Sequence, residues 1–344
     1  MRKNKQEKIE TVFEKWAKLV NGKIKEVLNI SVDKKTQQLL NYQMETGGKR
    51  LRPALAIATC LACGGKIKDA LYPAAGLEIL HNCTLLYDDI IDNSAKRRGK
   101  PTTWAKYGKS ITECLGLDYA AAIFQSANKS RHPVDISEIF ARTLKKIMDG
   151  QILDMLLEQS GREGERYITK NRFRKITEKD YLRMIRQKTA SLTQACCETG
   201  AVSAGAKKNL IKTAKDYGFN LGIAFQIRDD ILDIFGKEKE FGKKIGKDIQ
   251  ERKLGNVVIL YALEEFKSTK EKNKFLAILK KDKVKDADIR EALKLINKTK
   301  AKERAFILEK KYVKKAKANL ERLPKNKWNK FLVNLVDFVV ERNK

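Results

Sequence analysis

Leu85-Leu86-Tyr87-Asp88-Asp89-Ile90-Ile91-Asp92 sets three carboxylates into one turn of an apolar run, and Arg97-Arg98 follow soon after. Read as a helix, the run puts Asp88 and Asp92 four apart on a shared face, with Asp89 beside them. Like charges at that spacing repel by a few tenths of a kcal/mol in water and cost roughly several kcal/mol per ion when buried without partners. The stretch therefore implies a cationic partner that is missing from the sequence. Phe225-Gln226-Ile227-Arg228-Asp229-Asp230-Ile231-Leu232-Asp233 repeats the Asp-Asp-x-x-Asp spacing in a second apolar run. Two such helices facing each other make an oxygen-lined cleft, which suits Mg²⁺ carrying its remaining coordination on water and substrate phosphate. The bland alternative, a solvated helix face paired to lysines, is an even match for one triplet and a poor one for both with their flanks.

Helical periodicity extends outward from these runs. The 344 residues are 42% apolar, ample for a buried core, and hold only five prolines, at 53, 73, 101, 133 and 324. Stretches of 3.6-residue periodicity dominate and alternating strand patterns are hard to find, so the expected fold class is all-α. An amphipathic helix is expected over 5–30, with Ile9, Val12, Phe13, Trp16, Leu19 and Val20 as its apolar stripe and a break near Asn21-Gly22. That stripe reads as core or as a subunit contact. A second helix over 33–45 ends at Gly47-Gly48, Pro53 fits the first turn of a third, and another covers 73–93, with a loop over 93–103. Beyond about residue 270 the chain reads as lysine-rich amphipathic helix, and no low-complexity linker divides it, so 1–344 is taken as a single domain.

The formal net charge is +30, from 73 Lys and Arg against 43 Asp and Glu. Nucleic acid is the first partner such a balance suggests. Against it, the lysines are spread over nearly every segment, helix-turn-helix and zinc-finger spacings are missing, and aromatics are only 8%. A polyanionic small substrate explains the clustered part of the charge equally well. Six cysteines (60, 63, 83, 114, 196 and 197) lie in apolar helical contexts. Cys60-Leu61-Ala62-Cys63 has metal-ligand spacing with no second pair or nearby His to complete a site, so buried thiols in a reducing compartment are expected. The N-terminal residues read as no signal peptide, the longest apolar run, about 53–63, is short for a bilayer, and a cytoplasmic location follows as an expectation.

Several cations stand where an anion could be held. Lys49-Arg50-Leu51-Arg52 precedes Pro53 beside Gly47-Gly48, which offers side chains, backbone N–H groups and a helix dipole to a phosphate; a solvated basic turn is the alternative. His81 lies seven residues before Asp88, on roughly the same face two turns away, and is a ligand candidate where a buried His is more often merely satisfied in a core. Arg97 and Arg98 bring guanidinium groups, suited to bidentate phosphate pairing, to the mouth of the expected cleft. Lys188, among small neighbours, is costly to bury unless it meets an anion, and 241–248 reads as a mobile Gly/Lys loop.

The pattern resembles the trans-isoprenyl diphosphate synthases, which make farnesyl, geranylgeranyl and longer polyprenyl diphosphates. The likeness covers about 30–342. Gly47-Gly48-Lys49-Arg50-Leu51-Arg52-Pro53 matches the family's GGKRxRP word, and Asp88 to Asp92 with Arg97-Arg98-Gly99 its first aspartate-rich motif and RRG. Gly150-Gln151-x-x-Asp154 matches GQxxD, Lys188-Thr189-Ala190 the KTA word, and Phe225-Gln226-x-x-Asp229-Asp230-x-x-Asp233 the second aspartate-rich motif. GQxxD and KTA are weak alone; the paired aspartate motifs with both basic flanks are strong. The chain departs where many relatives read Gly-Lys-x-Thr-Leu-Pro: Arg252-Lys253-Leu254-Gly255-Asn256-Val257 keeps only the lysine, Lys253, as a substrate-binding candidate.

The resemblance implies a single helical bundle of the isoprenoid synthase type around a central cleft, acting as a homodimer. It implies that Asp88, Asp92 and Asp229 bind Mg²⁺, about three ions per active site, clamping an allylic diphosphate. Arg97, Lys188 and Lys243 would complete that clamp, the doubled Lys243-Lys244 leaving open which amine reaches the phosphate. Lys49, Arg52, His81 and Arg98 would hold isopentenyl diphosphate, and Thr189 and Gln226 would lie along the reacting carbons. The implied reaction is ionisation, addition and proton loss, with no nucleic-acid partner and membrane contact only through the lipid product. One helical turn rises about 5.4 Å, close to one isoprene unit. The chain-length floor therefore falls on Cys83 and Thr84, one turn before Asp88, neither of them the aromatic that typically stops growth at fifteen carbons in this family. The expected product has about twenty carbons or more on that turn-per-unit scale, unless Tyr119 or Phe124 closes the tunnel from another helix. Competing readings are a terpene cyclase, a regulatory subunit of a heteromeric synthase, and a basic nucleic-acid or acidic-membrane binder.

Overall fold

A computed structural model of the chain describes residues 2–236 and 245–341, with side chains over 9–236 and 245–340. It is helical almost throughout, as the periodicity predicts, and the described residues form two compact units, each assembled from separate stretches of chain.

Unit 1 takes Met1–Lys145, Leu192–Gly218 and Lys317–Leu335. Its first helix, α1 (Arg2–Leu28), buries Ile9, Phe13, Trp16, Val20, Ile24 and Val27 at three- and four-residue spacing. Trp16 packs 5.3 Å from the Trp328 ring and 5.7 Å from Phe331, so the stripe is core, except that Val12 is half-buried and Leu19, expected in it, is exposed. The expected break at Asn21-Gly22 does not occur. Gly22 faces open space, and the packing of Val20, Ile24 and Val27 outweighs the roughly 1 kcal/mol that one glycine costs a helix.

Helix α2 (Lys34–Glu45) is capped by Asp33, which accepts from the Lys35 and Thr36 N–H groups. Helix α3 (Leu51–Ala62) carries Pro53 as its third residue, where a missing N–H leaves nothing unsatisfied. Helix α4 (Ile67–Ile91) begins six residues before the expected start at Pro73, because the Asp69 carboxylate accepts the Lys66 N–H at 2.9 Å and fixes the first turn. Pro73 is carried inside it. The expected loop over 93–103 contains a β-hairpin, β1 (Lys96–Arg97) paired with β2 (Lys100–Pro101). Arg98 and Gly99 turn it with φ of 52° and 78°, the pair of positive values that a two-residue type I′ turn needs. Helices α5 (Thr103–Tyr107) and α6 (Lys109–Asn128) follow, and α7 (Pro133–Leu156) starts in unit 1 and ends in unit 2. Close approach is built on small residues: a methyl group at Gly76 of α4 would lie 2.1 Å from Ser126 Oγ, and one at Gly200 of α10 (Ser191–Ser203) 2.3 Å from the Ala56 carbonyl of α3.

Unit 2 takes Lys146–Ser191, Phe219–Ala316 and Val336–Lys344. Its core gathers Leu157, Tyr181, Ile223, Ile227, Val258, Phe275, Leu295 and Leu308. Helix α8 (Arg166–Asn171) leads to α9 (Glu178–Ile185), which passes into a π-helical turn over Arg186–Ala190. Helix α11 (Lys208–Phe235) carries the second acidic triplet; α12 (Lys247–Gln250), α13 (Val257–Glu265), α14 (Thr269–Leu279), α15 (Asp286–Ile296), α16 (Ala301–Glu321) and α17 (Lys327–Glu341) complete the chain. All six cysteines are free thiols, and burial pushes Cys60, Cys83 and Cys196 up to about 12. No helix among the described residues is long and apolar enough to cross a membrane.

Candidate active site

The turn between α2 and α3 is organised by a buried cation that the sequence does not single out. Arg50, in the left-handed region at φ 49°, donates to Glu78 Oε1 at 2.9 Å, to the Met44 carbonyl at 3.0 Å and to Asn21 Oδ1 at 2.9 Å. Its side chain and that of Glu78 are 7% and 5% exposed, a buried ion pair with supplementary hydrogen bonds. Arg98 NH1 crosses from the hairpin to donate to the Gly47 carbonyl. A methyl group at Gly48 would lie 3.1 Å from Arg98 NH1 and 3.3 Å from Arg50 NH1, and Gly48 sits at φ 141°. Gly48 thus makes room for two guanidiniums, while Gly47, with open space around it, serves the turn through its φ of 95°.

That turn leaves Lys49 exposed and Arg52 half-buried on the first turn of α3. His81 meets the same group. Burial, then the Arg52, Arg98, Arg97 and Arg50 guanidiniums, push its imidazole well below the ordinary 6.5. Arg50 is paired with Glu78 and Arg97 with Asp89, so Arg52 and Arg98 bring the further positive charge that makes this a candidate anion site. Because the fold disfavours the charged imidazole, this group's contribution to stability is lost as pH falls below the ordinary imidazole value. We expect the His81 Cε1–H resonance, assigned with His81→Gln, to stay flat from about pH 8 to about pH 6 and to begin titrating higher once isopentenyl diphosphate is added. An ordinary midpoint in the free protein would mean that the guanidiniums do not face the ring.

The first triplet divides by role. Asp89 is buried and holds Arg97, with Nε at 2.9 and 3.1 Å and NH2 at 2.8 Å. Asp88 and Asp92 are half-exposed. One turn back, Cys83 and Thr84 are buried, Cys83 Sγ lying 3.4 Å from the Gly116 carbonyl and Thr84 Oγ1 donating to the His81 carbonyl at 2.8 Å. Tyr119 is fully buried, its hydroxyl donating to the Leu40 carbonyl at 2.6 Å, whereas Phe124 is 37% exposed.

In unit 2 the weak sequence words acquire physical reasons. A methyl group at Gly150 would lie 2.3 Å from the Lys188 amide nitrogen, so the glycine lets α7 meet the π-helical turn backbone to backbone. Asp154, one turn on, accepts from Lys188 Nζ at 2.7 Å and lies 3.3 Å from Lys253 Nζ. Burial opposes its charge, but those two ammoniums hold its carboxyl well below the usual range. Lys253 is buried and also 3.0 Å from Glu251. Just beyond Lys253, Asn256 caps α13 by accepting from the Val258 and Ile259 N–H groups. Thr189 Oγ1 donates to Gln226 Oε1 at 2.8 Å, and Gln226 Nε2 donates to Asp230 Oδ1 at 2.9 Å. Asp230 also accepts from the Tyr181 hydroxyl at 2.7 Å and the Val257 N–H at 3.0 Å, although burial pushes its carboxyl up. Asp233 accepts from the Lys247 and Asp248 N–H groups at the start of α12, and burial with the nearby Asp248 carboxyl pushes it up to about 8. Asp229 alone of this triplet is half-exposed. Lys243 and Lys244 lie outside the described residues.

The family model for polyprenyl synthetases matches residues 33–296. The chain belongs to the polyprenyl synthetase family. Its relatives include the geranylgeranyl diphosphate synthase of Saccharolobus solfataricus, 35% identical over 335 residues that cover 94% of this chain and 95% of that one. The short chain isoprenyl diphosphate synthase of Methanocaldococcus jannaschii is 35% identical over 80% of each chain. Among solved structures, the geranylgeranyl pyrophosphate synthetase of Pyrococcus horikoshii superposes with a TM-score of 0.86 at 30% identity, covering 98% of this chain and 99% of that one. A decaprenyl diphosphate synthase from Rhodobacter capsulatus gives 0.85 at 30% identity, with the same coverage. This polyprenyl synthetase is a prenyltransferase of the all-α isoprenoid synthase fold. Among the described residues, no three His, Cys, Asp or Glu groups are placed to hold a metal by themselves. Asp88 and Asp92 in unit 1, and Asp229 in unit 2, are each half-exposed carboxylates, the oxygen ligand type that suits Mg²⁺ keeping water and phosphate in its shell.

Proposed function

We propose that this polyprenyl synthetase condenses isopentenyl diphosphate head-to-tail with an allylic diphosphate, giving a trans-prenyl diphosphate of about twenty carbons or more, each added unit needing roughly one 5.4 Å helical turn of depth. The observation that carries this reading is the juxtaposition of a candidate anion site around His81 with the half-exposed Asp88, seven residues on in α4, and Asp92, the cap that ends the helix. In it Lys49, Arg52, His81 and Arg98 hold isopentenyl diphosphate, while Asp88, Asp92 and Asp229 hold Mg²⁺. When bound, the metal supplies positive charge to the departing diphosphate. Arg97, Lys188, Lys243 and Lys253 add to that charge or orient the groups that do. Thr189 and Gln226, joined by a hydrogen bond, present polar oxygens beside the allylic carbons as they lose the leaving group. The isopentenyl double bond attacks the allylic cation and released diphosphate takes the final proton, so no side chain has to act as nucleophile or base.

Residues 1–344 are proposed to act as one polyprenyl synthetase-like domain in a cytoplasmic homodimer. The six free thiols support the compartment, and the exposed apolar pair Leu117 and Phe124, seven residues apart on one face of α6, supports the second copy.

Incubating the protein with isopentenyl diphosphate, each allylic primer and Mg²⁺, then sizing the products, tests the activity. Products of about twenty carbons or more are expected, and Cys83→Phe should shorten them by about one unit per helical turn of lost depth. Farnesyl diphosphate alone from the wild type, with no shortening in Cys83→Phe, would remove Cys83 and Thr84 as the floor. No product from any primer would remove the reading itself.

A further inference from the structure

The hairpin that carries Arg97 and Arg98 has no core of its own. Its strands are two residues each and largely exposed, and a lone two-stranded ribbon is marginal in water. It is held instead, together with the start of α5, by the end of α2 and the turn after it. Gln43 Oε1 accepts from Thr103 Oγ1 at 2.7 Å, and the Tyr42 hydroxyl donates to the Pro101 carbonyl at 2.8 Å. The Glu45 carbonyl accepts from Lys100 Nζ at 3.0 Å, and the Gly47 carbonyl accepts from Arg98. Tyr42 is the most heavily engaged member. Lys106 Nζ lies 3.8 Å from its ring centroid, and the Tyr107 ring meets it edge-on at 5.3 Å.

The consequence concerns the anion site. One of its walls, Lys49 and Arg52, continues from the Gly47-Gly48 turn, and the other, Arg97 and Arg98, rides on the hairpin. Their separation is set by the α2–hairpin seam. We propose that Tyr42 is a positioning residue for isopentenyl diphosphate: through the Pro101 carbonyl it fixes where Arg98 stands relative to Arg52 and His81. The proposal rests on the substrate assignment above. Tyr42 touches no substrate and acts only through the hairpin.

Tyr42→Phe removes the hydroxyl and keeps the ring, so the Lys106 and Tyr107 contacts survive. Isopentenyl diphosphate binding, measured calorimetrically without divalent ions, is expected to weaken about two- to tenfold, the range that one hydrogen bond accounts for. KM for that substrate should rise with it while kcat and the thermal midpoint stay near wild type. Lys100→Met, which cuts the neighbouring tie, should move binding in the same direction. The decisive comparison is a cycle with Arg98→Ala: if Tyr42 works through Arg98, adding Tyr42→Phe to Arg98→Ala weakens binding no further. Additive losses, unchanged binding in Tyr42→Phe, or a fall in kcat with KM unaltered would each overturn the assignment. A wild type that binds isopentenyl diphosphate yet makes no product would end the functional reading and leave this one standing.

Discussion

Asp88→Ala is expected to lower turnover by two orders of magnitude or more, about the loss seen when one preorganised charge-stabilising group is removed, with the helical circular-dichroism signal unchanged. Asp229→Ala should do the same. Each carboxylate is half-exposed, in contrast to its buried neighbours Asp89 and Asp230. A half-exposed position on a helix face is one where substitution costs the fold least, so helix content should hold. The leaving diphosphate, by contrast, loses part of the charge that would neutralise it. Raising Mg²⁺ should recover some of the rate, since a weakened ion site refills by mass action. Near-normal rates in both variants would dissolve the metal assignment. Loss of helix content in either would show that half-exposed Asp is carrying structure.

Arg50→Ala is expected to act on stability, by about 3–5 kcal/mol, the usual cost of orphaning a buried ion-pair partner. Glu78 would keep its buried charge with its ion-pair partner gone, and Asn21 and the Met44 carbonyl would each lose a donor. Urea unfolding followed by circular dichroism measures this. Replacing Glu78 by Gln in the same chain should return part of the loss, because the uncompensated charge goes with it. A shift below about 1 kcal/mol, the size of an exposed pair, would mean that the site is wetter than its burial suggests.

The two acidic triplets and their basic flanks were legible because charge inside an apolar helical run has few structural excuses. Within each triplet, however, spacing says nothing about which carboxylate turns inward. Asp89 takes Arg97, Asp230 takes Tyr181 and the Val257 N–H, and Asp233 caps α12 from a distance, all decided by tertiary contacts. The hairpin was missed for a related reason: its strands are two residues long, too short for an alternating pattern, and Arg98 is an uncommon occupant of a positive φ. The π-helical turn under Lys188 has no local signature, and only the clash a side chain at Gly150 would cause reveals why the glycine is there. The break expected at Asn21-Gly22 was overruled by packing, and the start expected at Pro73 by the Asp69 carboxylate that fixes an earlier first turn.

Unit 1 is stitched from stretches that reach from the start of the chain to Leu335. During synthesis its first 145 residues leave the ribosome well before Lys317–Leu335 exist. At 5–20 residues per second the gap of about 170 residues lasts roughly ten to thirty-five seconds. Throughout that wait the Trp16 ring has neither Trp328 nor Phe331 against it, and the Ala56 ridge of α3 lacks Gly200 until α10 emerges. The nascent polypeptide is therefore a natural client for chaperones, and dividing it into two independently expressed halves would strand greasy surface on both.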